Sequence, residues 1–182
     1  ITLFYNMGLA DAKLSENIKR AKRFAGFYMN EDPEAQNFNP VQKTIKSIFT
    51  GSQGAASTSS AVYNLRYGHT SLFPIIKNLE PDWHEKPERQ KQIQDLYDQI
   101  ITRTDVPVNL LATGLITNAY LYTGDEKYKK WVLDYVDAWM KRITENGGLL
   151  PDNIGQSGKI GEYRNGQWWG GLYGWYGRYG VL

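Results

Sequence analysis

The fold is predicted most clearly by the stretch from Asn109 to Trp139, NLLATGLITNAYLYTGDEKYKKWVLDYVDAW. Val108 to Tyr122 is apolar nearly all round, and such a helix is typically buried on most sides. Asp125 to Ile143 is amphipathic, with one apolar stripe at helical spacing. The stripe contains Tyr128, Trp131, Val132, Tyr135, Val136, Trp139, Met140 and Ile143. Gly124 ends the first helix and Asp125 caps the second, which predicts an inner helix covered by an outer one.

Further helices are predicted before this pair. Leu14 to Met29 and Glu88 to Thr104 both repeat apolar residues at helical spacing, with charged residues on the opposite face. Residues 61–80 are predicted to hold another helix, broken near a glycine or a proline. Residues 30–60 show no period, so we expect a long excursion loop there, with a short strand at Thr44–Phe49.

The composition is typical of one globular domain, with 182 residues, 41% of them hydrophobic and 22% charged. The net charge of +2 is too small to indicate a nucleic acid or a membrane surface as partner. In the 30–60 loop, Lys43 and Lys46 could contact an acidic ligand, although such lysines are more often simply solvated.

Metal chemistry is not indicated either. The absence of cysteine excludes disulfides and thiolate zinc sites. Two histidines without a cysteine argue against transition-metal catalysis, and no cofactor is expected. A structural calcium ion held by loop carboxylates stays open.

The stretch from Glu145 to Trp175 is rich in glycine and aromatic residues and has no periodicity. A loop of this length in a compact domain is usually functional. Aromatic rings beside an acid and an amide suit a sugar ring, which offers apolar faces and hydroxyl groups. The groups in question are Asp152, Asn153, Trp168, Trp169 and Tyr173. The alternative is a surface loop fixed by buried tryptophans.

Asn109–Trp139 resembles the repeat unit of the α/α-toroid carbohydrate-active enzymes, which are built of roughly six or seven helical hairpins. The turn Thr123–Tyr128, TGDEKY, is its most recognisable part. The resemblance covers residues 1–29 and 88–182. It implies an all-α fold, an (α/α) toroid of helical hairpins that is incomplete in this chain. We therefore expect residues 1–182 to be one domain and the N-terminal part of a longer protein.

The same resemblance implies a function. In that superfamily, loops between an outer helix and the next inner helix commonly line the central cleft. By this analogy Asp152, Asn153, Trp168 and Trp169 face a polysaccharide or oligosaccharide substrate. The resemblance also implies an enzyme that is secreted or periplasmic, with neither nucleic acid nor membrane as partner.

One hypothesis is a polysaccharide lyase, which cleaves a glycan that contains uronic acid by β-elimination. The reaction needs a group that neutralises the sugar carboxylate, a base and an acid. Arg66, Tyr67 and His69 bring suitable types into one short segment: Arg66 for the carboxylate, Tyr67 and His69 for proton transfer. Candidate amides are Asn64, Asn109 and Asn153. The alternative is that His69 and Tyr67 are hydrogen-bonded packing residues at a helix break.

Two alternatives stay open. A glycoside hydrolase needs two carboxyl groups, and Asp152 is the best general acid/base, with Glu162, Asp82 or Glu85 as the second acid. Asp152 can equally form a turn with the backbone. A non-catalytic glycan-binding helical scaffold would also explain the aromatic residues. We expect a lyase, narrowly, because Arg66, Tyr67 and His69 cluster whereas no pair of carboxylates does.

Overall fold

The computed structural model describes residues 6, 10, 11, 13–56 and 80–169. Within them lie four α-helices: α1 (Ser15–Met29), α2 (Pro87–Tyr97), α3 (Ala112–Thr123) and α4 (Glu126–Glu145). Strands β1 (Phe38–Asn39) and β2 (Thr44–Ile45) form an antiparallel hairpin, in which Phe38 pairs with Ile45. Shorter helical segments are Trp83–Glu85, Asp98–Thr102 and Pro107–Leu111.

The predicted helix boundaries at Gly124 and Asp125 are confirmed. Gly124 has a positive φ of 65°, and its N–H donates to the carbonyl of Tyr120 at 2.7 Å, which ends α3. The Asp125 carboxylate accepts from the N–H of Lys127 at 3.1 Å and so caps α4. The segments predicted at 14–29 and 88–104 also contain helices, α1 and α2. Except for residue 80, the helix predicted at 61–80 lies outside the described residues.

Asp125→Ala is expected to lower the free energy of unfolding by about 1 kcal/mol, because the first turn of α4 loses its side-chain acceptor. Urea denaturation followed by circular dichroism measures the change. Asp125→Asn is the matched control, since an asparagine also caps a helix. An equal loss in both variants would contradict the assignment of the cap.

The predicted all-α toroid is wrong. About 53% of the described residues are helical, counting the shorter helical segments beside the four α-helices. With a small antiparallel sheet as well, the fold is too small and too mixed for a toroid of helical hairpins. The inner helix is also less covered than predicted. α3 packs against α1 and α4, yet Leu111 just before it is 59% exposed and Leu121 within it is 55% exposed. An apolar sequence shows that a helix can be buried, but it does not supply the elements that would cover it.

The hairpin of β1 and β2 explains why the fold is not all-α. Phe38 and Ile45 are buried, and the Phe38 ring lies 4.8 Å from that of Trp131 and 6.0 Å from that of Tyr135. The rest of the core comes from the helices and from one residue of the following loop: Ala21, Ala25, Ala112, Ile116, Ala119, Tyr128, Trp131, Tyr135, Trp139 and Ile154. The strand predicted at Thr44–Phe49 starts at Thr44 but ends at Ile45. Part of the predicted excursion loop therefore builds the core.

Candidate functional site

A cavity of about 90 Å³ lies where three segments of the chain meet. The first segment is the β1–β2 hairpin, the second precedes the helical turn Pro107–Leu111, and the third belongs to the loop after α4. The lining residues are Asn39, Thr44, Ile45, Lys46, Arg103, Asp105, Ile154, Gly155 and Gln156. We call this the Asp105 cavity, because Asp105 joins the three segments.

Asp105 makes this connection through both its backbone and its side chain. Its N–H donates to the carbonyl of Ile154, and its carbonyl accepts from the N–H of Ile154, both at 2.8 Å. Its Oδ2 accepts from the N–H of Ile45 at 3.0 Å. Asp105 thus connects its own segment by hydrogen bonds to the hairpin and to the loop after α4.

The Asp105 carboxylate is 1% exposed and is surrounded by donors. The Asn109 amide donates to Oδ1 at 2.8 Å, and the Tyr135 hydroxyl lies 3.1 Å from Oδ1 and 3.0 Å from Oδ2. Burial raises the pKa of Asp105 to about 6. The hydrogen bonds from Asn109, Ile45 and Tyr135 and the positive charge of Arg142 oppose this shift but are weaker. Burial and the charge of Asp105 raise the pKa of Tyr135 well above its usual range, so its hydroxyl stays protonated.

Arg142 supports the same region from α4. It is 6% exposed and donates to the carbonyls of Gln42 at 2.6 Å, Lys43 at 3.3 Å and Gly158 at 3.4 Å. Burial lowers the pKa of Arg142, and the charge of Asp105 opposes that shift. Arg142 thus holds the hairpin turn and the loop after α4 against the helix.

Two cations line the Asp105 cavity, Lys46 and Arg103. Lys46 is half-buried and Arg103 is exposed, and neither forms an ion pair with the described part of the chain. Lys43, by contrast, pairs with Asp134 at 3.4 Å. Among the described lining residues the two cations outnumber the one carboxylate, that of Asp105, while Glu162 lies just outside the lining against Gly155. The lining itself thus carries an excess of positive charge and suits an anionic ligand.

The predicted site residues of the loop after α4 lie outside this cavity, and the two polar ones are buried. Asp152 is 0% exposed and Asn153 is 1% exposed. The Asn153 amide donates to Asp152 Oδ1 at 2.9 Å and to the carbonyl of Gln167 at 3.1 Å. Asn153 Oδ1 has no hydrogen-bond partner among the residues that the structure describes. Arg164 is buried as well, and this burial lowers its pKa. The negative charge of Asp152 opposes that shift.

The tryptophan pair borders this cluster. The carbonyl of Trp168 accepts from the N–H of Asp152 at 2.9 Å. The rings of Trp168 and Trp169 are 5.7 Å apart at 66°, and Trp169 is 39% exposed. Asp152, Asn153 and Trp168 therefore do lie together, but the two polar side chains are covered. Their catalytic and substrate-binding roles stay predictions.

The remaining predicted residues fall in two groups. Asn109 is 8% exposed and belongs to the Asp105 cluster, where it also donates to the carbonyl of Ser47 at 3.3 Å. The others lie outside the described residues: Asn64, Arg66, Tyr67, His69 and Tyr173.

Each of the second acids proposed for hydrolysis contacts a residue close to it in sequence. Glu162 accepts from the N–H and the hydroxyl of Ser157 at 3.0 and 2.8 Å, and Asp82 pairs with Lys86 at 3.0 Å. Glu85 lies 3.9 Å from the ring of His84. Within residues 13–56 and 80–169, no group of three or more His, Asp or Glu side chains is placed to hold a metal ion.

Asp105, Tyr135 and Arg103 were not singled out from the sequence. One local signal was available: Asp105 and Asn109 stand four residues apart at the start of a helical segment, a spacing that brings side chains together. Tyr135 had been assigned to an apolar stripe, and its hydroxyl gives no signal of its own. Its contact with Asp105 spans 30 residues of sequence and depends on the tertiary structure.

Comparison with known proteins gives a family. A family model described as "Domain of unknown function (DUF8034)" matches residues 1–182. The chain belongs to this family. Neither the curated proteins nor the solved structures include a match to this DUF8034 chain. Among its described helices, none has both the length and the apolar character that crossing a membrane requires.

Proposed function

We propose that this protein is a carbohydrate-active enzyme that degrades a polysaccharide containing uronic acid by β-elimination. The observation that supports this proposal is the pair of cations in the Asp105 cavity, Lys46 and Arg103, which have no acidic partner among the described residues. A uronic acid carries its carboxylate on the sugar ring, next to the carbon that loses a proton. Neutralising that carboxylate is the first requirement of the reaction.

In this proposal, Lys46 and Arg103 bind the carboxylate of the sugar. Their positive charges stabilise the negative charge that develops when the neighbouring proton leaves. Asp105 is not the base, because it is 1% exposed and both of its oxygens accept hydrogen bonds within the protein. It holds the cavity walls instead. Proton transfer stays assigned to Tyr67 and His69, and Arg66 stays a further partner for the carboxylate.

The size of the cavity agrees with recognition of one acidic group on a polymer. Its volume of about 90 Å³ is several times the ~10–15 Å³ that one water molecule needs. Such a space takes a carboxylate and the adjoining edge of a ring, and the rest of the glycan lies outside. Asn39 and Gln156 in the lining offer amide groups to sugar hydroxyls.

The proposal is tested by incubating the purified protein with a panel of uronic-acid polysaccharides and matched neutral polysaccharides. A lyase gives an unsaturated product, which absorbs ultraviolet light, from the acidic substrates alone. New reducing ends without that absorbance would show a hydrolase and contradict the proposal. Binding of acidic glycans without any cleavage would instead support a non-catalytic glycan-binding protein.

Lys46→Met and Arg103→Met are each expected to lower kcat/KM on an acidic substrate about 10- to 100-fold, since each removes one charge-assisted hydrogen bond. The matched control is Lys141→Met, which removes the same charge from a side chain on α4 that is 78% exposed. An equal loss in the control would show that net charge, rather than the cavity, binds the substrate.

A further inference from the structure

We propose that Asp105 and Tyr135 form a proton-dependent control of the Asp105 cavity, so that uptake of one proton by this pair tightens the binding of an acidic saccharide. This inference rests on the proposed function, because it gives that site a regulation. It is supported by the hydrogen bonds of Asp105 and by its place in the same cavity lining as Lys46 and Arg103.

The three partners of the Asp105 carboxylate differ in whether they can accept a hydrogen bond. The backbone N–H of Ile45 can only donate. The amide nitrogen of Asn109 is held as a donor by its second bond, to the carbonyl of Ser47. The Tyr135 hydroxyl carries lone pairs and lies within 3.1 Å of both carboxylate oxygens. Of these three groups, Tyr135 alone can accept a hydrogen bond from a protonated Asp105.

The proton transfer therefore needs no rearrangement of the fold. A proton from solvent forms an O–H bond on one carboxylate oxygen of Asp105, and this O–H donates to the Tyr135 oxygen. The Tyr135 hydroxyl goes on donating to the other oxygen of Asp105, so both groups stay hydrogen-bonded. The only net change is the loss of one negative charge from the wall of the cavity.

The other charged groups near Asp105 are three cations and the carboxylate of Glu162, which lies against Gly155 of the lining. Arg142 faces Asp105 from α4, Lys46 follows Ile45 on the hairpin, and Arg103 stands two residues before Asp105. The described residues of the other two packed segments, 107–111 and 154–156, carry no titratable side chain. Burial raises the pKa of Asp105 to about 6, so its charge changes within the range from about pH 5 to about pH 8.

A neutral Asp105 removes one of the negative charges that oppose Lys46 and Arg103 at the cavity. A bound sugar carboxylate is then no longer repelled by the carboxylate in the wall. Removing one negative charge from the residues that line the cavity is expected to tighten binding about 3- to 30-fold at about pH 5 relative to about pH 8.

The experiment is isothermal titration calorimetry with oligomers of galacturonate and of glucuronate across this pH range, with neutral galactose oligomers as the control ligand. Wild type is expected to bind the acidic oligomers more tightly as the pH falls, with a midpoint near the pKa of Asp105. In Tyr135→Phe the charged form of Asp105 loses a donor, so the midpoint is expected to move up by about one pH unit. Tyr128→Phe is the matched control, a buried tyrosine of the same helix whose hydroxyl makes no bond to Asp105, and its midpoint should not move.

The outcomes separate this inference from the proposed function. Acidic oligomers that bind equally well at both ends of the range overturn the inference alone, whereas no binding at any pH overturns both. A midpoint that stays in place in Tyr135→Phe removes Tyr135 from the mechanism. If that variant does not fold, NMR titration of the Asp105 carboxyl carbon in wild type decides: a midpoint different from that of binding overturns the inference.

Discussion

Asp105→Ala is expected to lower the free energy of unfolding by about 3–5 kcal/mol at about pH 5, because it leaves several buried donors without their acceptor. The N–H of Ile45 and the hydroxyl of Tyr135 both lie in the interior, where water cannot replace the lost bonds. Asn109 loses one of its two acceptors. The segments that these residues belong to are joined at Asp105, so the loss affects the hairpin, α4 and the start of α3 together.

The destabilisation caused by Asp105→Ala is expected to become smaller as the pH rises. The pKa of Asp105 is raised to about 6 in the folded protein, above that of an unfolded aspartate. The folded state therefore binds the proton more tightly than the unfolded state does. The resulting gain in the free energy of unfolding is fully present below the unfolded pKa and is lost as the pH rises through about 6. The shift of about two units corresponds to about 3 kcal/mol. Part of this is already lost below about pH 5, and since the alanine variant lacks this group, the difference between the two proteins should shrink by about 1.4 kcal/mol between about pH 5 and about pH 8.

Urea denaturation of both proteins at several pH values measures the effect. The matched control is Asp137→Ala, which removes an exposed aspartate from α4 and should change the free energy of unfolding by no more than about 0.5 kcal/mol. A loss in Asp105→Ala that increases with pH would contradict the buried, raised-pKa carboxyl described here.

Arg164→Met is expected to destabilise the protein by about 3–5 kcal/mol, because it removes a cation whose charge acts on a buried carboxylate. Arg164 is 2% exposed and Asp152 is 0% exposed. Methionine fills much of the same volume, so the loss reports the charge rather than a cavity. The loop after α4 should open first, since the same cluster holds the carbonyls of Gln167 and Trp168.

A double-mutant cycle identifies the interaction behind this loss. Asp152→Asn keeps an oxygen that can accept from the Asn153 amide but removes the charge. If Arg164 and Asp152 stabilise each other, Arg164→Met should cost much less in the Asp152→Asn background. The surface control is Arg23→Met, which removes an exposed guanidinium 5.8 Å from the ring of Phe27 and should cost about 1 kcal/mol or less. Additive losses at residues 152 and 164 would show that the two side chains are not coupled.

The same cluster explains how far the site could be predicted from the sequence. The loop after α4 was singled out for its glycines and its missing period, and it does carry unusual structure: Gly161 has a φ of 63°, and a Cβ there would lie 2.6 Å from the carbonyl oxygen of Gln167. Sequence alone could not tell whether Asp152 points into a cleft or into the protein. That depends on Arg164 and Gln167, which are brought back to it by the course of the loop.

The positions of several helices, and the boundary between two of them, follow from the sequence alone. The spacing of apolar residues set α1, α2 and α4, and Gly124 with Asp125 fixed the boundary between α3 and α4, because these signals act within one or two turns of a helix. What covers each helix was decided only by tertiary structure. α3 is apolar enough to be buried on most sides, yet one side stays open, and the hairpin residues Phe38 and Ile45 complete the core instead of a further helical layer. The Asp105 cavity was equally beyond the sequence, since its three walls are held by hydrogen bonds between distant residues, and no local pattern encodes such pairs.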